Sequence, residues 1–352
     1  MKRNLFFQTM NDKIDFVVTW LDSSDPVWQE QYKQYKGVAE SGDQSSARFR
    51  DWDLFRYWFR SVETYAPWVN KVYLVTNGTF PTWINPNHPK LVLVKHSDYI
   101  PDKFLPTFNS CTIELHMNKI EGLSDRFVYF NDDCYINAPI SPEYYFKDGL
   151  PCDSNIETVF NVPTFNPIDR FTIYISMMVD IGVLNAHFDR RKVWRQSPKR
   201  WLGTHLGKAG FLTSLYLMMS SKGKGRFVGF NWKHVEQPFL KAVFDEVWEK
   251  EAAMLEESCT RFREEVILNP YIFRYWQLAS NLFYPVKLNK ARKYRIEKNH
   301  MPKILSTIMN PQVKSLCVND TPVCTEEEFS QYKEAIHKVF NEKFPQKSSY
   351  EK

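Results

Sequence analysis

Ile14-Asp-Phe-Val-Val-Thr-Trp20 leads directly into Leu21-Asp22-Ser23-Ser24-Asp25-Pro26, and this junction decides the fold. The first part is rich in β-branched and aromatic residues, the mark of a buried strand; the second is a cluster of turn formers. The strand therefore delivers a polar loop from its carboxyl end. Outward from it the pattern repeats. Trp52 to Tyr65 carries apolar residues at helical spacing (Leu54, Phe55, Trp58, Phe59, Val62), with Pro67 as a stop. Lys71-Val-Tyr-Leu-Val-Thr76 reads as a second strand closed by Asn77-Gly78, and Leu91 to Val94 as a third. Thr112 to Ile120 suits a helix, and Arg126-Phe-Val-Tyr-Phe130 is a fourth strand running into Asn131-Asp132-Asp133. Strands alternating with helices predict an α/β fold, a mostly parallel sheet with helices on both faces. Such sheets bind ligands beyond the carboxyl ends of their strands, where both polar loops lie.

Past Pro139 the pattern loosens. Residues 150 to 230 mix short apolar runs with basic patches at Arg190-Arg191-Lys192-Val193-Trp194 and Lys199-Arg200-Trp201. The spacing predicts an amphipathic helix over 235 to 257 and an aromatic one over 270 to 283. A last strand-to-loop signal stands at Ser315-Leu-Cys-Val-Asn319-Asp320, followed by an amphipathic helix over 326 to 343. No repeat, low-complexity tract or Gly/Ser linker divides the chain, which reads as one catalytic unit with a helical elaboration.

With 352 residues, 43% of them hydrophobic, the chain supplies a large core. Its 11 Trp, 18 Tyr and 27 Phe suit both that core and the stacking walls of a carbohydrate site. A net charge of +5, from 46 basic and 41 acidic residues, is too small for a nucleic-acid binder and licenses only a weak preference for phosphate or anionic lipid. No run of apolar residues is long enough to span a membrane, and the first residues lack the pattern of a signal peptide, so a cytoplasmic location is expected. The six cysteines show no C-x-x-C pair and no clustered His spacing; the spacing indicates neither a zinc site nor a disulfide framework, only reduced, mostly buried thiols.

Asp132 and Asp133 are adjacent acids at a strand end, where the pleat turns neighbours in different directions. One or two carboxylates plus water and phosphate oxygens are what Mg2+ takes from a protein. Asn131-Asp132-Asp133 is equally good turn chemistry, and the residues alone leave the two readings open. The same holds for Asp22, Ser24 and Asp25, which suit a turn and helix cap or contacts to a nucleotide. Arg48, Arg50 and Arg56 follow, with guanidinium forks that fit phosphate oxygens or surface ion pairs. Imidazole is the side chain most often used for proton transfer near neutrality, so His234 reads as an acid–base group or as a structural histidine, and Arg263 is a candidate to neutralise a phosphoryl group in flight.

Taken together, these segments resemble the Stealth family of sugar-phosphate transferases. The likeness runs in four blocks: Ile14 to Pro26; Arg48-Phe-Arg-Asp-Trp-Asp-Leu-Phe-Arg-Tyr57 through Ala66-Pro-Trp-Val69, Val75-Thr-Asn-Gly78, Leu105-Pro-Thr-Phe108 and Ile120-Glu-Gly-Leu-Ser124 to Tyr129-Phe-Asn-Asp-Asp133; His234 to Trp276; and Cys317-Val-Asn-Asp320 with Phe344-Pro345 and Tyr350-Glu351. They stand in the family's order over nearly the whole chain. The resemblance implies a Rossmann-like, glycosyltransferase-A-like core over 12 to 150, an acceptor-side helical segment over 151 to 285 that completes the site, and a C-terminal segment over 286 to 352 packing back on the core.

It also implies transfer of a hexose 1-phosphate from a UDP-hexose or UDP-N-acetylhexosamine to a glycan hydroxyl, with Mg2+ or Mn2+ bound and UMP released. In capsule or other surface polysaccharide synthesis, the acceptor would be a lipid-linked oligosaccharide at the inner membrane face. By position, Asp132 and Asp133 match the acids around metal and donor, and Asp133, His234 and Arg263 the catalytic groups. Asp22, Ser24, Asp25, Arg48, Arg56, Asn131, Asn319 and Asp320 fall where the donor is held. One departure stands out: an acid usually follows that arginine by four residues, where this chain has Ile267, with Glu264 and Glu265 as possible substitutes. The rivals are a metal-dependent glycosyltransferase that releases UDP and a non-catalytic sugar binder.

Overall fold

In the computed structural model, β1 (Ile14–Thr19) is the middle strand of a five-stranded sheet, between β2 (Val72–Thr76) and β4 (Arg126–Phe130). Described are residues 13–36, 51–158, 168–220, 225–231, 234–262, 268–287, 290–321 and 324–352. Beyond β2 lies β3 (Leu91–Lys95), and beyond β4 lies β8 (Gln237–Leu240). The strands from β1 to β4 run parallel, and β8 pairs antiparallel with β4, Phe127 opposite Phe239.

Phe16, Val17 and Val18 are all fully buried. Successive side chains of a strand leave on opposite faces, so both faces of the sheet must be covered. On one, Trp58 of α2 (Phe55–Tyr65) meets Phe130 at 5.4 Å between ring centroids. On the other, Phe244 of α8 (Lys241–Ser258) meets Phe127 at 5.6 Å. This is the α/β class that the alternating pattern predicts. The polar loop after β1 turns into α1 (Pro26–Lys36), whose Trp28 is buried.

Two expected helices change at their starts. Over 112–120 the helix is α3 (Ser110–Leu115), started by Asn109, whose side chain accepts from the Cys111 amide, and followed by a 3-10 turn at Met117–Lys119. Over 235–257 the chain first forms β8, and α8 begins only at Lys241. Pairing with β4 outweighs helical periodicity there, and Pro238, which has no N–H to donate, is tolerated because the strand is an edge.

Between β7 (Leu150–Asp153) and β8 the described residues include the helices α4 (Ile168–His187), α5 (Arg190–Gln196), α6 (Pro198–Trp201) and α7 (Gly207–Ser220). The two basic, aromatic patches fall here and are partly core rather than surface. Val193, Trp194 and Trp201 are buried, as is Arg190, which pairs with Glu157 at 2.7 Å. The Trp201 indole donates to Asn281 Oδ1 at 2.8 Å. Only Lys192 and Lys199 of these patches are exposed. β7 also pairs with β6 (Phe146–Lys147) and β9 (Tyr284–Pro285), the latter following α9 (Tyr271–Ala279).

A second three-stranded sheet carries the end of the chain back to the centre. Its order is β10 (Ala291–Arg295), β11 (Ser315–Asn319), β5 (Cys134–Ile136), with β11 parallel to β10 and antiparallel to β5. Since β5 starts directly after Asp133, this pairing brings Asn319 to the end of β4. After α10 (Met301–Ile308) and β11 comes α11 (Glu326–Lys343), opened by a reciprocal cap between Thr325 and Glu328. Phe340 stacks on Tyr57 of α2, and Glu351 accepts a fork of two bonds from buried Arg60, at 2.7 and 2.9 Å. At the opposite end of the main sheet, fully buried Asp15 accepts from the Asn70 side chain and from the Lys71 and Ser124 amides, at 2.7 to 3.0 Å. All six cysteines are buried and free.

Candidate active site

A cleft of about 610 Å³ opens at the carboxyl ends of β1 and β4. Thr19, Trp20, Leu21, Asn131, Asp132, Asp133, His234 and Asn319 all reach it, from segments far apart in sequence. Short contacts link them. Tyr129 hydroxyl pairs with Thr19 Oγ1 at 3.2 Å and donates to Asn131 Oδ1 at 2.8 Å. The Asn131 side-chain nitrogen lies 3.2 Å from His234 Nε2, which is itself 3.7 Å from Asp133 Oδ2. Asn319 Nδ2 donates to the same oxygen at 3.0 Å. The sequence is thus folded so that β1, β4, the entry to β8 and the end of β11 meet around one carboxylate.

The two acids differ sharply. Burial alone would push the Asp133 carboxyl up, but hydrogen bonding and charge from His234, with help from Asn319 and Cys134, hold it down at about 2. Asp132 opens into the cleft and lacks such side-chain partners; crowding by the surrounding cleft walls, then the adjacent Asp133 charge, raise it to about 7 against the pull of backbone hydrogen bonds. One group is fixed as a carboxylate and its neighbour is poised near neutrality. Asp132 offers exposed oxygens and Asp133 an anchored carboxylate, a donor set that fits a hard divalent cation completed by water and phosphate oxygens.

The loop after β1 behaves differently. Asp22 Oδ1 accepts from the amide and hydroxyl of Ser24, at 2.9 and 2.6 Å. Asp25 accepts from the Val27 amide at 2.9 Å and from Thr79, whose hydroxyl, ahead of burial, sets a net lowering of its pKa. These groups form a turn and cap at the rim, while Trp20 and Leu21 face the cleft. Arg56 pairs with Asp53 at 3.2 Å and lies over the Trp83 ring, and Asp320 accepts from the Thr321 amide at 2.6 Å; neither lines the cleft. Arg48, Arg50, Arg263, Glu264, Glu265 and Ile267 lie outside the described residues.

Sequence reasoning missed two features. Lys293 and Arg295 line the cleft. They are two residues apart on β10, in register with Cys317 and Asn319, so one face of the small sheet presents both cations beside the acids. An aromatic wall lines the same cleft: Trp28 and Tyr32 stack at 5.1 Å, Phe108 and Phe262 at 5.1 Å, with Tyr32 edge-on to Phe108. The alternation of Arg292-Lys293-Tyr294-Arg295 was a signal, but only strand pairing says which face it serves.

The capsular polysaccharide phosphotransferase WcwK of Streptococcus pneumoniae is 38% identical over 347 residues, covering 97% of this chain and 100% of that protein. The chain belongs to the Stealth family. The description "Stealth protein CR2, conserved region 2" matches residues 48–152, the stretch that contains β4 and the paired acids. Two further Stealth relatives are the receptor polysaccharide phosphotransferase WefC of Streptococcus gordonii, 36% identical over 97% of this chain and 100% of its own length, and the exopolysaccharide phosphotransferase cps2G of Lactiplantibacillus plantarum, 35% identical over 100% of both. Among solved structures, the apo form of the bifunctional glycosyltransferase WbbM aligns over 95% of this Stealth chain and 52% of that one, with a TM-score of 0.38 and 9% identity, too remote to carry weight.

Proposed function

We propose that this Stealth protein transfers hexose 1-phosphate from a UDP-sugar to a hydroxyl of a growing surface glycan, forming a phosphodiester and releasing UMP. The observation that carries this reading is the meeting of Asp132, Asp133, His234 and Asn319 with the cations Lys293 and Arg295 in one cleft. Its volume of about 610 Å³ suits a nucleotide sugar. Relatives of the same length named as capsular and exopolysaccharide phosphotransferases support the reaction class.

Phosphoryl transfer asks for positioning and charge neutralisation more than covalent help. In our reading His234 takes the proton of the acceptor hydroxyl as its oxygen attacks the β-phosphorus. Asp133, held by Asn319, orients the imidazole and balances the charge it gains. Lys293 and Arg295 neutralise the pyrophosphate as the bond to UMP breaks, and Trp28, Tyr32, Phe108 and Phe262 form a stacking wall for the base or the sugar. A Mg2+ or Mn2+ ion held by Asp132 and Asp133 would supply further charge neutralisation on the phosphate oxygens. The acceptor in this reading is a lipid-linked oligosaccharide met at the inner membrane face. No helix among the described residues is long and apolar enough to cross a membrane, so such an encounter would be peripheral.

The test is to incubate the protein with a panel of UDP-sugars, a divalent cation and candidate oligosaccharide acceptors, then identify the nucleotide released. UMP with a new phosphodiester 31P resonance is the expected result. UDP with a glycosidic bond would instead make the protein a glycosyltransferase.

A further inference from the structure

The spacing of the cysteines along the chain offers no metal site, but the fold brings together a donor set that the spacing hides. Asp133 and His234 line the cleft and Cys317 is buried behind them, and ligand atoms of the three all lie within 4.8 Å of one another. Asp133 Oδ2 is 3.7 Å from His234 Nε2 and 3.4 Å from Cys317 Sγ. A tetrahedral zinc ion, with bonds of about 2.0 Å to nitrogen and oxygen and about 2.3 Å to sulfur, sets edges of roughly 3.3 Å for N···O and roughly 3.5 Å for S···O. The two edges to Asp133 differ from these by a few tenths of an ångström; the His234–Cys317 edge, which lies within 4.8 Å, would have to close toward roughly 3.5 Å by side-chain rotation.

The cluster is also held in place before any ion arrives. Cys317 and Cys134 are register partners across β11 and β5, the Val318 amide donates to the Asp133 carbonyl at 3.0 Å, and Asn319 fixes the Asp133 carboxylate. A second sulfur, Cys134 Sγ, lies 3.3 Å from the other Asp133 oxygen. This donor set differs in kind from the oxygen pair that suits Mg2+: thiolate and imidazole select softer ions.

We propose that Asp133, His234 and Cys317 form a zinc-binding site inside the catalytic cleft, through which Zn2+ reversibly inhibits the enzyme. As the ion binds, the Cys317 thiol releases its proton to solvent and the His234 lone pair is committed to the metal. The imidazole can then no longer accept a proton from an acceptor, and Asp133 is shared between two cations. Three protein ligands leave a fourth position for water or for a phosphate oxygen. The inhibition follows from our reading of the reaction; the metal site itself does not depend on it.

The full chain, kept reduced with a phosphine, is titrated with Co2+ and then Zn2+ and followed by absorption. The expected result is one Co2+ per chain with intense tetrahedral bands and a thiolate-to-cobalt charge-transfer band, displaced by one equivalent of Zn2+ and untouched by Mg2+. Cys317→Ser should abolish the charge-transfer band, and Cys317→Ser and His234→Gln should each weaken Zn2+ affinity on the order of a hundredfold, with circular dichroism confirming the fold. Weak octahedral bands, or a charge-transfer band that survives Cys317→Ser and is lost in Cys134→Ser, would overturn the proposal. In turnover assays Cys317→Ser should need at least about tenfold more Zn2+ for half-inhibition, and equal sensitivity would remove the inhibitory role. The optical arm uses neither donor nor acceptor, so its failure is separate from a failure of the transfer reading.

Discussion

Asp15 and Asp133 sit on or beside neighbouring strands of one sheet, at its opposite ends, and their surroundings separate a structural carboxylate from a chemical one. Asp15 is sealed from solvent, and two of its three bonds come from backbone amides, those of Lys71 and Ser124, tying the approaches to β2 and β4 to β1. Asp133 is met by an imidazole, an amide side chain and two thiols, and opens on a cleft beside a second acid raised to about 7. Backbone donors fix a fold because they cannot leave; side-chain donors around a cleft are groups that a ligand can share. A carboxylate's role is therefore written in the kind of partner it has more than in its burial.

The largest expected effect falls on the chemical side. His234→Ala should lower turnover by about a thousandfold, since a positioned base is worth that order, while donor binding and melting temperature stay close to wild type. Rates within tenfold of wild type would take the imidazole out of the reaction. On the structural side, Asp15→Ala should cost about 3 kcal/mol by orphaning buried donors, read as a lower denaturant midpoint, with nearly unchanged turnover per folded molecule. A loss of turnover without loss of stability would erase the contrast between the two ends.

Smaller effects sharpen the picture. Lys293→Ala and Arg295→Ala should each reduce kcat/KM by about tenfold, mostly through donor binding, and raise the cation concentration needed for half-maximal rate. A pH series gives the least change and bears on the region around α3. Burial holds the His96 and His116 imidazoles down at about 4, from an ordinary value of 6.5. Between those values the unfolded chain binds protons that the folded chain refuses, so stability should fall as pH drops from 6.5 to 4 and level off below. His116→Gln should reduce that slope in thermal melts; an unchanged slope would assign it to other groups.

Much of the frame was legible in sequence because its signals are local. β1, β2 and β4 announce themselves by β-branched runs ending in turn residues, and α11 by its amphipathic spacing over 326 to 343. β8 was not, because four residues containing Pro238 look like the lead-in to a helix until β4 offers them hydrogen bonds. Asp132, Asp133, His234 and Asn319 stood out by residue type and by likeness to a family. Lys293, Arg295 and Cys317 did not, since their common face exists only once β10, β11 and β5 pair. In the other direction, Asp22, Ser24 and Asp25 carried an open choice between cap and ligand, and the structure shows them engaged in a turn, a cap and a bond to Thr79.

The contrast between the two carboxylates is tested most directly by measuring UMP formation from a UDP-sugar and an oligosaccharide acceptor by purified Asp133→Asn, with its melting temperature beside that of Asp15→Asn. The account predicts that Asp133→Asn loses on the order of a hundredfold in UMP formation yet melts above Asp15→Asn, which keeps its activity while folded. UMP formation by Asp133→Asn at the wild-type rate would contradict it.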